Sequence, residues 1–136
     1  MFKRVCIIFA FLFALALFWL TNSASAFGER YPVTEVYSSF CSSEPITCKG
    51  KLSYAKNLIR CGEGFYAEKD FDVDGFLYGL SAKTVYIENL EDGVSVYAYS
   101  PKIKNFVILF GKRVNLHISV GEEKIKVATP VIFGSF

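Results

Sequence analysis

The sequence predicts an α+β domain, mainly antiparallel β-sheet with one short helix, behind an amino-terminal export signal. Three observations lead to this prediction. A basic start is followed by one long apolar run over residues 5–20. Beyond residue 83, short β-rich stretches alternate with glycine-marked turns, which is typical of an antiparallel meander. In the region after residue 26, a helical spacing of apolar side chains is found at residues 76–83.

The first 26 residues have the three parts of a secretory signal. Lys3 and Arg4 supply the basic start, residues 5–20 the apolar part, and the tripeptide "ASA" at residues 24–26 the small side chains expected before a cleavage site. The apolar run is shorter than the ~20 residues that span a bilayer as a helix. An uncleaved anchor is the alternative, and it would be the membrane contact of the chain. We therefore expect a signal peptide at 1–26 and a single exported domain at 27–136.

The charges balance once the signal is set aside. The chain has 15 Lys and Arg residues against 13 Asp and Glu residues, a formal net charge of +2. Because Lys3 and Arg4 belong to the signal, the exported domain keeps 13 residues of each sign and carries no net charge. A neutral domain has no long-range field that attracts phosphate backbones. The sequence therefore predicts no nucleic-acid partner.

The first half of the domain is predicted to contain short strands separated by turns. Residues 31–40 and 46–54 are rich in β-forming side chains, and "CSSEP" between them is a turn cluster. A second break is expected at the glycines of "GEG", residues 62–64. Over residues 65–73 apolar and polar side chains alternate, as they do in a half-buried strand.

One short helix is predicted at residues 76–83, "FLYGLSAK". Leu77 and Leu80 recur at helical spacing and Ala82 favours a helix, whereas Gly79 costs about 1 kcal/mol in a helix interior. We expect one or two helical turns here.

The second half of the domain has the clearest strand pattern. "TVYIEN" and "VSVYAYS" are β-rich and flank a turn at "DG". "FVILF", residues 106–110, is apolar throughout, which predicts a strand covered on both faces. "VNLHISV", residues 114–120, alternates apolar with polar side chains, and "KIKVAT" follows after another turn. We expect a meander with a helix or loop layer over its apolar face.

Three cysteines lie beyond the signal. In an exported protein two of them can pair, and Cys41 with Cys48 would close a short loop. The other pairings with Cys61 stay open, as do three small buried thiols. The spacings do not give the C-x(2–4)-C pairs of zinc sites.

The segment "DFDVDG" has the start of a calcium loop. Asp70, Asp72 and Asp74 occupy positions one, three and five of an EF-hand, and Gly75 occupies position six. Position 12 is Ser81, which cannot supply a bidentate carboxylate, and β-like residues precede the loop where an EF-hand needs a helix. Two interpretations remain. We favour a solvated acidic strand that ends in a glycine turn, and a simpler calcium turn made by the three aspartates is the alternative.

His117 is the one histidine of the chain. It shares the polar face of residues 114–120 with Asn115 and Ser119, so a free cysteine would complete the parts of a Cys–His–Asn nucleophile. A histidine on a polar sheet face is the interpretation that we favour. The sequence has no G-x-S-x-G motif, phosphate loop or paired-histidine metal motif. We expect no enzymatic activity.

Three segments of the second half resemble the C-terminal part of the YwmB family, exported proteins of Gram-positive bacteria. They are "SVYAYSP", "GKRVNLHISV" and "KIKVATPVI", and the resemblance is confined mainly to residues 84–136. It implies a fold similar to that of the TATA-box-binding protein, a curved antiparallel sheet with helical cover, and no established activity. It does not imply DNA binding, because a fold does not determine a function.

Two groups of side chains are candidates for contact with a partner. Tyr97 and Tyr99 are expected to be half exposed on one strand, and tyrosine offers contact area and a hydroxyl at little entropy cost. Ordinary cross-strand packing is the alternative for both. Lys112 and Arg113 lie at a turn, where they form either a solvated rim or a patch for anionic wall polymer or lipid head groups.

These observations predict an exported, non-enzymatic protein, extracellular or associated with the cell envelope. We expect an interaction or structural module that binds an envelope protein or a wall polymer, without a cofactor. The alternative is a small calcium-dependent binding module that uses Asp70, Asp72 and Asp74.

Overall fold

The computed structural model describes residues 2–21, 25–28, 30–38, 46–47 and 60–132 of the chain. Two helices and nine strands lie in these ranges: α1 Phe2–Thr21, β1 Glu35–Ser38, β2 Ile46–Thr47, β3 Arg60–Glu68, α2 Val73–Gly79, β4 Lys83–Leu90, β5 Gly93–Tyr99, β6 Val107–Leu109, β7 Lys112–Val114, β8 Leu116–Gly121 and β9 Lys124–Thr129. The α+β class with a mostly antiparallel sheet is confirmed. Parts of both early β-rich stretches form β1 and β2, and the rest of those stretches lies outside the described residues.

Seven strands form one sheet in the order β2-β1-β3-β9-β8-β5-β4, and β6 and β7 form a separate hairpin. Every strand pair is antiparallel. The predicted meander is present as β4, β5, β8 and β9, with the β6–β7 hairpin inserted between β5 and β8. The strands from the two halves of the domain meet where β3 pairs with β9.

One face of the sheet, which we call the core face, carries the hydrophobic core. A row of apolar residues crosses it in register, from Phe65 through Val127 and Ile118 to Val96. Helix α2 covers this face with the buried Phe76, whose ring centroid lies 5.9 Å from that of Phe65. The expected layer over the apolar face is therefore present, and it leaves the opposite face to polar and aromatic side chains.

The "GEG" segment is part of β3, so the break expected at residues 62–64 is wrong. A Cβ atom on Gly62 would collide with the carbonyl oxygen of Thr129, and one on Gly64 would lie 2.9 Å from the carbonyl oxygen of Val127. The Tyr37 side chain lies across both glycines, within 3.2 Å of the Cβ position at Gly62. These glycines permit close approach inside the sheet.

The acidic segment also departs from its predicted structure. Strand β3 ends at Glu68, so the strand expected over residues 65–73 is wrong beyond that point. Helix α2 begins at Val73 rather than residue 76, because the Asp72 side chain caps it by accepting from the backbone N–H of Gly75 at 2.9 Å. The expected short helix is present but lies earlier in the chain.

The apolar stretch at residues 106–110 is not buried on both faces, which corrects the prediction made from its composition. It forms the short strand β6 and the turn that follows, and three of its side chains are exposed: Phe106, Ile108 and Phe110. A strand that has a single partner outside the main sheet has no layer to bury it.

The side chains of α1 that the structure describes lie outside the core. Every side chain described between residues 4 and 18 is exposed. No helix in the described part of the chain combines the length and the apolar character that crossing a bilayer requires.

Candidate functional site

The β6–β7 hairpin carries a group of exposed apolar side chains. Phe106 and Ile108 are two residues apart and lie on one side of it, and Arg113, the register partner of Ile108, lies on the same side. The guanidinium carbon of Arg113 is 4.7 Å from the centre of the Phe106 ring. Phe110 begins the turn and contacts Tyr86 of β4, with 5.0 Å between ring centroids. We call these five residues the hairpin patch.

The apolar and aromatic side chains of the hairpin patch are exposed to solvent. The exposed fractions are 44% for Phe106, 59% for Ile108, 77% for Phe110 and 44% for Tyr86. Contiguous exposed apolar surface marks interaction sites in soluble proteins.

Phe110 has a backbone conformation that phenylalanine seldom adopts. Its φ is +52° and that of the next residue, Gly111, is +74°, so both central positions of this two-residue turn are left-handed. Such turns match the twist of the flanking strands and favour asparagine or glycine. A phenylalanine costs of order 1 kcal/mol there, and its ring is nevertheless exposed.

The face opposite the core, which we call the polar face, has one row of residues in register across six strands. It runs Glu35, Gly64, Ala128, His117, Tyr97 and Tyr86. The Tyr97 ring stacks on His117 at 4.3 Å and lies 6.1 Å from the Tyr86 ring. The row therefore connects the buried centre of the polar face to the hairpin patch.

The four predicted interaction residues are not all equivalent in the structure. Tyr97 is half-buried and donates its hydroxyl to Glu88 at 3.3 Å, and burial together with that carboxylate raises its pKa. Tyr99 is half-buried at the end of β5. Lys112 and Arg113 are exposed on β7, and Arg113 belongs to the hairpin patch.

His117 lies on the polar face, and it is buried there. Its Nδ1 accepts a hydrogen bond from the backbone N–H of Ile132 at 3.1 Å, so the proton of the neutral ring is on Nε2. Burial and, secondarily, the Lys126 charge lower the pKa of His117 to about 4. The ring is therefore neutral at physiological pH.

At the other end of the polar face, an ion pair crosses β3. The Nζ atom of Lys126 lies 3.0 Å from Oε2 of Glu35, and the hydroxyls of Tyr66 and Tyr37 donate to the same carboxylate at 3.1 and 3.2 Å. Burial, followed by the Glu35 charge, raises the pKa of Tyr37. Because Gly64 has no side chain, Glu35 and Lys126 meet over it. This network saturates the buried carboxylate and stabilises the sheet.

The three aspartates of the predicted calcium turn do not converge. Asp72 is used as the helix cap, and Asp74 lies in the first turn of α2. Among the residues that the structure describes, no group of three or more His, Cys, Asp or Glu side chains is placed to hold a metal ion. The arrangement explains the acidic run as the start of a helix.

Cys61 lies at an irregularity in the pairing of β1 with β3, where Tyr37 pairs with Gly62 and Ser38 with Arg60. The thiol donates to the backbone oxygen of Tyr37 at 3.2 Å, and burial raises its pKa. The described hydrogen bond of this cysteine is therefore with the backbone of β1 and not with His117. Cys41 and Cys48, the predicted disulfide pair, lie outside the described residues.

The segment at residues 25–28 is anchored on β3. Oε1 of the buried Glu63 accepts from the hydroxyl of Ser25 at 2.7 Å and from the backbone N–H of Ala26. Its Oε2 is paired with Arg60. Glu63 was not predicted from the sequence, because "GEG" has the composition of a turn. Of the hairpin patch, Arg113 was predicted, but the apolar side chains of "FVILF" were not, because that stretch has the composition of a core strand.

Comparisons with known proteins add no assignment, since no protein-family model, curated protein or solved structure matches the chain.

Proposed function

We propose that this chain is an exported interaction module of the cell envelope that works by binding rather than catalysis. Its hairpin patch and the adjoining edge of β4 take an extended segment of a partner protein. The observation that carries the proposal is the exposure of Phe106, Ile108 and Phe110 on one short hairpin.

The backbone of Phe110 strengthens this proposal. Phe110 has a backbone conformation that costs free energy, and its side chain lies at an exposed turn. This phenylalanine therefore contributes little to the stability of the fold. The ring adds exposed apolar area beside Tyr86, and aromatic side chains with arginine are the residues enriched in protein interfaces. The stability lost at this turn is offset when a partner covers the ring.

The neighbouring strand offers the means to hold an extended segment. β4 is the last strand in the order of the described sheet, so one side of its backbone has no described strand partner. An extended peptide adds to such an edge through main-chain hydrogen bonds, and side-chain pockets then select its sequence. Tyr86 belongs both to β4 and to the hairpin patch, so the two surfaces are continuous.

The charges beside the hairpin patch favour one chemistry of partner. Arg113 lies in the patch and Lys112 follows Gly111 in the same turn, both exposed. An extended segment with apolar side chains and at least one carboxylate fits this surface. Anionic wall polymer is the competing ligand, but it has no apolar groups to cover Phe110.

Site-specific crosslinking tests this proposal. A photoreactive phenylalanine analogue replaces Phe110 in the full exported chain, and crosslinked products are mapped by mass spectrometry. We expect a polypeptide crosslink on one extended segment, and we expect Ile108→Ser to abolish it. The same analogue at Tyr78, an exposed aromatic on α2, is the matched control and should give no such product. Crosslinks to wall polymer alone, or equal products from both positions, contradict the proposal.

The turn itself gives a second test. Phe110→Asn removes the ring and suits the left-handed backbone, so it should keep or slightly raise the free energy of unfolding while the partner segment is lost. A variant that binds normally would show that the ring has no part in recognition.

Kinship with the YwmB family and with its fold, similar to that of the TATA-box-binding protein, is part of the same proposal. An antiparallel sheet with a short helix packed on one face supports it.

A further inference from the structure

The junction between the expected signal and the domain is itself folded. The Phe27 ring is buried and packs edge-on against Phe65, with 5.1 Å between the ring centroids. Phe65 and Glu63 lie two residues apart on the same side of β3. Burial of the Phe27 ring therefore fixes this segment on the side of β3 that carries the Glu63 carboxylate.

The two oxygens of the Glu63 carboxylate contact different partners. Glu63 is 2% exposed, and Oε2 pairs with Arg60, the other charged group at this position. Both donors to Oε1, the Ser25 hydroxyl and the Ala26 N–H, belong to the last two residues of the expected signal. The Phe27 nitrogen is one step away, since its N–H donates to the Ser25 hydroxyl at 3.1 Å.

We propose that Glu63 is the receptor for the amino terminus created when the signal is removed. Hydrolysis of the Ala26–Phe27 peptide bond consumes one water molecule, leaves a carboxylate on Ala26 and makes the Phe27 nitrogen an ammonium group. The same step takes Ser25 and Ala26 away from Oε1, and a buried carboxylate oxygen without donors is costly. The Phe27 ammonium, which has three donors and a positive charge, replaces them.

The proposal rests on the export part of the proposed function and adds a structural consequence to it. The described side chains of α1, at residues 4–18, are exposed, so their removal uncovers no buried side chain of that range. Ala26, which leaves with the signal, packs against the core. Processing therefore replaces two hydrogen bonds from neutral donors to the carboxylate by an ion pair in a buried site, in which the donor as well as the acceptor is charged.

The first experiment uses the protein as a cell releases it. The full chain is expressed with its own leader in an exporting Gram-positive host, and the released protein is characterised by amino-terminal sequencing and intact mass. We expect Phe27 as the first residue. We also expect the pKa of its amino group, measured by NMR, to lie above the ordinary range of about 7.7–8.0, and acylation of that amine to be at least about tenfold slower than in an unfolded peptide. A different first residue, or an amine with ordinary titration and reactivity, overturns the proposal.

A matched pair of variants then identifies the carboxylate. Glu63→Gln should return the amine to its ordinary pKa and lower the melting temperature by about 5 °C, whereas Glu68→Gln, exposed on the same strand, should change neither. Should Glu63→Gln not be released in folded form, the amine of the unaltered protein still decides the question. Crosslinking from position 110 does not depend on this amine, so the two proposals fail separately.

Discussion

His117 and Asn115 are the polar residues of an alternating strand pattern, and each is buried and has a structural task. Asn115 lies between β7 and β8 and is fully buried. Its side chain accepts from the N–H of Ser100 at 2.7 Å and donates to the carbonyl oxygens of Ser100 and Ile103 at 2.7 and 2.8 Å. These bonds fix the loop that leads into the hairpin. Polar side chains in this stretch therefore organise backbone and do not bind solvent.

The lowered pKa of His117 predicts a loss of stability in acid. With an ordinary pKa near 6.5 when unfolded and about 4 when folded, the ring binds more protons in the unfolded state between these values. Its contribution is complete above pH 6.5 and is lost as the pH falls toward 4, by about 2 kcal/mol at pH 5. Chemical denaturation of the wild type and of His117→Asn at pH 7 and pH 5 measures this. Equal pH dependence in both proteins would contradict it.

Local sequence predicts some elements of this fold and not others. Helix α2 is set by a local interaction, the Asp72 cap, and the strands of the meander follow their alternation. The local sequence of the β6–β7 hairpin does not show whether its strands are buried in the core or exposed. Its sequence is apolar, and only the absence of a covering layer among the described elements leaves it exposed.

Loss of the helix cap should have a measurable and specific cost. Asp72→Ala removes the acceptor for the Gly75 N–H and should lower the free energy of unfolding by about 1 kcal/mol. Asp70→Ala, two residues earlier and outside the helix, is the control and should stay within about 0.5 kcal/mol of the wild type. Denaturant titrations compare the three proteins. Equal losses would show that the cap has no special role.

Calcium should leave the stability of the protein unchanged. The side chain of Asp72 is engaged by the helix, and the described acidic side chains do not form a cluster of three. Thermal melts in calcium and in EDTA should therefore coincide. A calcium-dependent rise in melting temperature that Asp72→Asn abolishes would instead support the calcium-dependent module.

At the scale of the molecule, the sheet joins segments that are far apart in the chain. β3 lies beside β9, and β5 lies beside β8 with the hairpin between them in sequence. This order puts Glu35 and Tyr86 at the two ends of one row across the polar face. It also puts the amino-terminal segment over the core and the hairpin patch at the opposite edge of the sheet.

The balanced charge of the domain predicts no affinity for nucleic acid. Residues 27–136, without Lys3 and Arg4 of the predicted leader, contain equal numbers of acidic and basic residues. The released protein should not shift duplex DNA in a gel at physiological salt, because few counterions would be released. The same assay at low salt serves as a control for weak contacts of Lys112 and Arg113. Salt-dependent binding that persists at physiological ionic strength would contradict the prediction.

Much of the fold could be predicted, because its signals are local. The alternation in residues 114–120 assigned Leu116 and Ile118 to the core face, although the polar residues between them are buried as well. The candidate sites could be predicted only in part. Arg113 was identified, but Phe110 and Glu63 were not. Phe110 lies in an apolar segment that has the composition of a core strand, and Glu63 lies between two glycines, which have the composition of a turn.

The sequence by itself determined the α+β class, the meander, the balanced charge of the domain and the leader pattern, since each depends on composition or on periodicity along the chain. Tertiary structure alone decided which apolar stretch is covered, which polar side chains are buried, and that Glu63 meets Ser25 and Ala26. Those outcomes depend on which strands become neighbours. Pairing between β3 and β9 joins residues about 60 positions apart, and no local pattern specifies such a contact.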